Sequence, residues 1–314
     1  MASHQLPAET LHYCWDNSIP PRLEIEAGDT VFFETQDASD GFVKPGITIE
    51  KYVTRKAKGH PLTGPVFIKG AKPGDIVELE ILNIKTGGYG WTGFRPGVGL
   101  LPNDFKESSF HIWDLKESRA TGSWAEFVEG IKIPLDPFCG VMGLALAEPG
   151  EFSTTPPRAV GGNMDIRQLT VGSKVWLPVQ VEGALFSIGD MHAAQGDGEV
   201  CVTAIETGGE VAVRFNLRQD KSIKEPWFWT PAAGRSELGA KGYFATTSHS
   251  PDLFYASQQA VRYMIEHLVE TYHLSAEQAY ILCSVAVELK ISQIVDGPNF
   301  TVSAFMPNAI FPNT

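Results

Sequence analysis

A chain of 314 residues, 43% hydrophobic and 20% charged, can bury a sizeable core and is too apolar to be disordered. A formal net charge of −12, with no basic run denser than Arg55-Lys56-Ala57-Lys58, argues against a nucleic-acid or membrane-surface binder. Cys14, Cys139, Cys201 and Cys283 lie far apart without C-x-x-C spacing, as free thiols of a reducing compartment would. Met1 to Pro7 has neither the basic nor the apolar region of a signal peptide, and no stretch approaches the ~20 apolar residues of a membrane span. A soluble, cytoplasmic protein with neither nucleic acid nor membrane as partner is expected.

In chain order, the first two thirds read as strands. Gly28-Asp29-Thr30-Val31, Gly74-Asp75-Ile76-Val77 and Gly172-Ser173-Lys174-Val175 each put a glycine-polar turn before an apolar strand. This is an ordinary way to start a strand, or else the mark of related β-units. Val77, Leu79 and Ile81 alternate with Glu78 and Glu80, predicting one apolar and one wet face. The segment from Thr86 to Phe105 is rich in glycine and proline and reads as a long loop or lid. Its Gly88-Tyr89-Gly90-Trp91-Thr92-Gly93 matches G-x-G-x-x-G, but Phe94-Arg95-Pro96-Gly97 cannot open the helix a dinucleotide site needs. Val175 to Val181 is an apolar run interrupted by Pro178, which suggests an edge or a bend.

The last third changes character. Ser250-Pro251-Asp252 offers an N-cap, a proline at the first helical position and an acid in the first turn, and apolar residues then recur at helical spacing to Val269. A second helix starts at Ser275, where Gln278 completes a capping box, and continues to Leu289. Ile291 to Val295 and Thr301 to Phe305 read as closing strands. The fold class is α+β, predominantly β. A sandwich- or barrel-like body over residues 1–217 is followed by a smaller C-terminal α/β part over 218–314 carrying two packed helices.

Reactive side chains concentrate in Gly189-Asp190-Met191-His192-Ala193-Ala194-Gln195-Gly196-Asp197-Gly198-Glu199. On an extended segment Asp190 and His192 share a face, Asp197 and Glu199 repeat the spacing, and the glycines allow the two pairs to converge. Upstream, Gly161-Gly162-Asn163-Met164-Asp165 places Asn163 and Asp165 on one face, or else caps a helix beginning near Ile166. Carboxylates converging with a neutral imidazole suit a divalent cation, zinc first and calcium as the alternative. Asp165, Asp190 and His192 form the expected ligand set. Glu199 and Asp197 are left to move protons, and Asn163 or a backbone N–H to steady an oxyanion, although ligand and base could be exchanged among Asp197, Glu199 and Asp190. His60 and Gln195 are assigned to the substrate, whereas His111, beside Trp113, reads more simply as a structural histidine.

These residues carry a family resemblance. The Gly161–Asp165 motif, followed by Gly183-Ala184-Leu185-Phe186-Ser187-Ile188 and the run to Glu199, resembles the core motif of the acetamidase/formamidase family. The likeness reaches Thr63-Gly64-Pro65 and Gly70-Ala71-Lys72-Pro73-Gly74-Asp75 upstream, and Ala279-Tyr280-Ile281-Leu282-Cys283-Ser284 and Gln293-Ile294-Val295-Asp296 downstream. It implies hydrolysis of short amides, a β-rich body with a smaller α/β part, and homo-oligomers.

Two rivals stay open. One is a metal-independent amidase with a Glu or Cys as nucleophile or base. Cys139 has no basic neighbour in sequence, and neither G-x-S-x-G nor H-E-x-x-H occurs. The other is a non-enzymatic β-sandwich holding a structural ion, with Trp227-Phe228-Trp229 as its ligand platform.

Overall fold

The three glycine-led strand starts all feed one sheet. The computed structural model describes the whole chain except residues 10, 57, 117–123, 232–240, 296, 313 and 314, so Ala57 of the basic run and Asp296 of the downstream motif lie outside the described residues. Thr30–Thr35, Ile76–Thr86 and Lys174–Pro178 follow Gly28, Gly74 and Gly172, whose φ angles of +97°, +96° and +89° suit glycine and few other residues. Their six-stranded sheet runs Ser3–Leu6, Thr30–Thr35, Gly209–Arg218, Ile76–Thr86, Lys174–Pro178, Trp227–Trp229. All neighbours are antiparallel except the first pair.

A nine-stranded sheet faces it. Its main path is Gly161–Asn163, Phe138–Gly143, Phe186–His192, Glu206–Thr207, Tyr89–Phe94, Ser109–Asp114, with Leu62–Ile68 also paired to Phe186–His192. Val31, Phe33, Leu79, Val211 and Phe215 of one sheet meet Val66, Ile68, Met142, Phe186 and Ile188 of the other in a single apolar cluster. Phe186 is the joint, edge-on to Phe33 at 5.8 Å and to Phe215 at 5.1 Å between ring centres.

Beyond this sandwich, Tyr243–Ser250, Phe300–Pro307 and Glu288–Gln293 form a three-stranded sheet. Of the three α-helices among the described residues, α1 (Ile49–Val53) is one short turn, and α2 (Leu253–Tyr272) and α3 (Ala276–Ala286) pack as the sequence predicts. Helix α2 buries Ala256, Ala260, Val261, Met264, Ile265 and Leu268. Each large apolar side chain in that stripe contributes roughly 1.5–3 kcal/mol relative to exposure. The same core takes in Phe94, Trp113, Phe127 and Ile205, so it is built from both sides of the expected boundary at 217/218. Trp227–Trp229, from beyond that boundary, completes the first sheet. The architecture is α+β and mainly β. Among the described residues no helix is long and apolar enough to cross a membrane.

Several local expectations are corrected. The cap of α2 is Asp252, whose carboxylate accepts from the N–H groups of Phe254 at 2.8 Å and Tyr255 at 3.1 Å; Ser250 instead accepts from Asp252 N. A carboxylate that takes two orphan N–H groups outcompetes a hydroxyl that takes one. The Ser275–Gln278 capping box forms as read, but α3 ends at Ala286 because the chain from Glu288 pairs with Phe300–Pro307. Glu78 is buried rather than wet, its carboxylate held by Trp176 Nε1 at 2.8 Å, Lys174 and Arg218. Pro178 ends a strand flanked on both sides, not an edge strand. The expected loop from Thr86 to Phe105 contains the buried strand Tyr89–Phe94. Its glycines signal close packing, since a Cβ on Gly90 would stand 2.7 Å from Ile205 Cγ2 and one on Gly93 2.6 Å from Phe110 Cβ.

Candidate active site

The central strand Phe186–His192 is buried along its whole length and delivers Asp190 and His192 into the body. Its neighbour Phe138–Gly143 puts Gly140 opposite them, and the strand end Gly161–Asn163 brings Asp165 to the same place through backbone bonds from Met164 N and Asp165 N to Gly140 O. Asp165, Asp190 and His192 hold one ligand atom each within 4.8 Å of one another, and so do His192, Glu199 and Glu206. His192 Nε2 is the shared atom, 3.4 Å from Asp190 Oδ2 and 3.3 Å from Glu206 Oε2. His60 approaches from the outer side, with Nε2 3.8 Å from Asp190 Oδ2.

Gln195 fixes the imidazole. Its Oε1 lies 2.9 Å from His192 Nδ1, and its Nε2 donates to Asp165 O at 2.9 Å. With the amide oriented by that second bond, Nδ1 donates to Gln195 Oε1 and Nε2 faces the carboxylates.

Crowding decides the protonation. Burial alone would raise Asp190, but the facing His60 and His192 hold its carboxyl below the usual range. Burial would lower His192, yet Glu206 and Asp190 push it well up. Asp165 is raised to about 7 by burial together with Asp190 and Glu206, against the pull of His192. Glu206 is raised to about 7 by burial and Asp190. Glu199 goes well above the carboxylate range through burial of its carboxyl and the nearby Asp165. Four carboxyls around one or two imidazoles cannot all be ionised in a site this dry, so the cluster retains protons that it can pass on.

The donor set fits a divalent cation. Asp165 Oδ1, Asp190 Oδ1, His192 Nε2 and Glu206 Oε2 are buried without a hydrogen-bond partner among the described residues. Gly140 leaves the space between them open, since a Cβ there would stand 2.5 Å from Asp165 Oδ1 and 3.0 Å from Asp190 Oδ2. A mixed carboxylate and imidazole set is what zinc takes, and calcium would use the same oxygens. Backbone strain gathers here too. Asp165, Asp190 and Glu199 adopt φ of 50°, 56° and 41°, each at a cost of about 1–2 kcal/mol for an L-residue.

Some of the sequence-picked residues fall outside the cluster. Asp197 does not follow Glu199 inward, because the segment is a turn rather than an extended strand. Its Oδ1 accepts from Arg167 Nε at 2.8 Å, and Arg167 also holds Glu288. Gln195 lies beneath His192 with both ends of its amide engaged, not on a substrate-facing wall. Asn163 Nδ2 donates to Thr155 O at 3.1 Å while Oδ1 is unpartnered among the described residues. No helix follows Asp165. His111 packs edge-on against Trp113 and Phe127, away from the cluster. Cys139 is next to the site, but burial pushes its thiol up to about 12, too high for a nucleophile. The residue that sequence reading missed is Glu206. Its signal was a lone carboxylate closing the mostly apolar stretch Val200 to Ile205, at the start of the short buried strand Glu206–Thr207.

Comparison with known proteins places these features in context. The model of the acetamidase/formamidase family matches residues 2–149 and 146–313. A formamidase of Methylophilus methylotrophus is 30% identical, the match covering 96% of this chain and 89% of the relative. Among solved structures, a gamma lactamase from Delftia acidovorans is 27% identical with a TM-score of 0.88, covering 98% of this chain and 93% of its own. An acetamidase from Bacillus halodurans is 30% identical with a TM-score of 0.67, covering 96% of each chain.

Proposed function

Because the chain belongs to the acetamidase/formamidase family, we propose that it is an amidohydrolase that cleaves the C–N bond of short aliphatic amides to a carboxylate and ammonia. The observation that carries this reading is the buried meeting of Asp165, Asp190, His192, Glu199 and Glu206 around a space kept open by Gly140. Amide cleavage needs the carbonyl polarised, water activated and the leaving nitrogen protonated, and these side chains are suited to all three needs.

Asp165, Asp190 and His192 would hold a divalent cation, zinc before calcium, with Glu206 beside His192 left as a base. When bound, such an ion supplies a Lewis acid and lowers the pKa of water towards ~7. Glu199, whose carboxyl burial and the nearby Asp165 hold well above the usual range, donates to the departing nitrogen. Glu206, raised to about 7, accepts the proton that water loses, and the exchange between the two carboxyls balances the reaction. His60 faces outward from Asp190 and is the group an arriving amide meets first. Asn163, with an oxygen unpartnered among the described residues, is suited to accept from the substrate's NH2 rather than to donate to an oxyanion. Asp197 acts at a distance, as an anchor of the turn that carries Glu199.

The reading takes a small neutral amide as its minimal substrate, self-association in solution, and the cytoplasm as compartment, where the four free cysteines stay reduced. The test is a pair of variants. His192→Ala should lose metal and activity together, whereas Glu199→Gln should keep its metal while kcat falls by a factor of ~10²–10⁴. A metal-free His192→Ala protein with full turnover would remove the ion from the mechanism and favour a metal-independent amidase.

A further inference from the structure

The site opens through His60 into a cleft much larger than a short amide requires. A cavity of about 440 Å³ is lined by Tyr13, Arg55, Lys58, His60, Glu151 and Phe152, among others. A second, of about 320 Å³, shares Tyr13, Ala38, Arg55, Lys58 and Gly59 with the first and extends to Phe42 and Lys56. Acetamide displaces about 100 Å³, taking roughly 30 Å³ per water and three to four waters for its size. Most of this trough lies beyond the scissile bond.

Its charge is unusual for the molecule. In a chain of net charge −12, the densest basic run, Arg55 to Lys58, forms the wall of this one cleft. The Arg55 guanidinium is held by neutral partners, donating to Ala38 O and lying over the Trp91 ring at 5.4 Å, and the Arg55 carbonyl accepts from a second cation, Arg95 Nη1, at 3.0 Å. Lys58 Nζ stands over the Tyr13 ring at 5.5 Å. Among the described residues none of Arg55, Lys56 and Lys58 is in an ion pair, although 37 acids were available to supply one. Two acids also line the trough, Asp40, which accepts from Tyr13 OH at 2.7 Å, and Glu151. Three cations against these two carboxylates leave the trough an excess of positive charge, which focuses field and draws anions to it.

We propose that this trough binds the distal end of the substrate and that this end is anionic, so that the preferred substrates are amides whose acyl chain ends in a carboxylate. The proposal rests on the amidase reading and narrows it. The scissile carbonyl lies inside His60, the acyl chain runs along Tyr13 and Phe152, and the carboxylate ends at Lys58, Lys56 and Arg55.

The test compares the half-amides of C3 to C6 dicarboxylic acids with counterparts bearing a methyl in place of the carboxylate. At low ionic strength kcat/KM for at least one half-amide should exceed its methyl counterpart by roughly tenfold or more, and the ratio should fall as salt is added. In Lys56→Glu/Lys58→Glu that ratio should drop by about tenfold, whereas Lys85→Glu/Lys132→Glu, with the same change in net charge elsewhere, should keep it. Equal rates on both series, or a ratio indifferent to Lys56→Glu/Lys58→Glu, would overturn the anionic preference and leave the amidase reading standing. No ammonia from either series would sink the amidase reading, and the proposal with it.

Discussion

Gly140→Ala is the smallest change that should empty this site without unfolding the protein. Gly140 sits in the buried strand Phe138–Gly143 outside the left-handed region, so alanine meets no backbone penalty there. The added Cβ would lie 2.5 Å from Asp165 Oδ1, 2.8 Å from His192 Cε1 and 3.0 Å from Asp190 Oδ2. Restoring ordinary contact, at about 3.4 Å, needs a displacement on the order of 0.9 Å, shared among three groups that Gln195 and the strand pairing hold in place. Overpacking of this size costs roughly 1–3 kcal/mol of stability. A shift near 1 Å in a catalytic group costs about 10²-fold in rate. The variant should therefore melt cooperatively a few degrees below the wild type, bind less than stoichiometric zinc by elemental analysis, and lose about 10² in kcat/KM on acetamide. A folded Gly140→Ala protein with full metal content and full turnover would refute the assignment of this space to the reacting atoms.

Further expectations concern single side chains. Gln195→Leu removes the acceptor at His192 Nδ1, so zinc affinity should fall by about 10–100-fold while the fold is kept, as a titration against a competing chelator would show. Unchanged affinity would mean that the 2.9 Å bond does not set the imidazole. Arg167→Ala breaks the ion pairs to Asp197 and Glu288, leaving the Asp197 carboxylate to Gln168 and that of Glu288 to Lys290, and should lower kcat through Glu199 by up to about tenfold with the metal retained; loss of metal instead would place Arg167's effect on the ligands. His111 gives a pH signature of stability. Burial lowers it to about 4 in the fold against an ordinary 6.5, so it is neutral when folded and its contribution is complete above pH 6.5. As pH falls towards 4 the unfolded chain takes a proton that the folded chain refuses, and stability is lost, at most about 3 kcal/mol. His111→Phe, between Trp113 and Phe127, should flatten that part of the profile, read as the difference in urea midpoint between pH 7.5 and pH 4.5; parallel curves for the two proteins would dismiss His111 as its source.

What could be read from sequence divides along physical lines. Local rules carried far: the glycine-led strand starts, the Ser275–Gln278 capping box and the apolar stripe of α2 depend on neighbours within a few positions. The pair Asp190 and His192 was legible for the same reason, since period two along one strand puts both on one face. Where partners come from afar, the reading slipped. Glu78 looked wet because Lys174 and Arg218, which neutralise it, lie about a hundred residues on. The segment from Gly87 to Gly93 looked loose because nothing nearby shows that Ile205 and Phe110 fill the space its glycines leave. Asp197 and Glu199 looked equivalent on an extended chain, but Glu199 at φ 41° turns inward and Arg167 draws Asp197 away. Glu206 gives no local sign beyond its position at the end of a mostly apolar run, because its partners His192 and Asp190 lie on another strand. Gln195 was given to the substrate because sequence does not show that His192 and Asp165 consume its amide.

The most direct measurement is ammonia release. Purified protein loaded with zinc, and in parallel with calcium, should release ammonia from formamide, acetamide or propionamide, with bulky N-substituted amides slower. The metal should be present in the active preparation and the activity lost on chelation. A folded, metal-loaded protein that releases no ammonia from any primary amide would contradict amide hydrolysis as the function of this site.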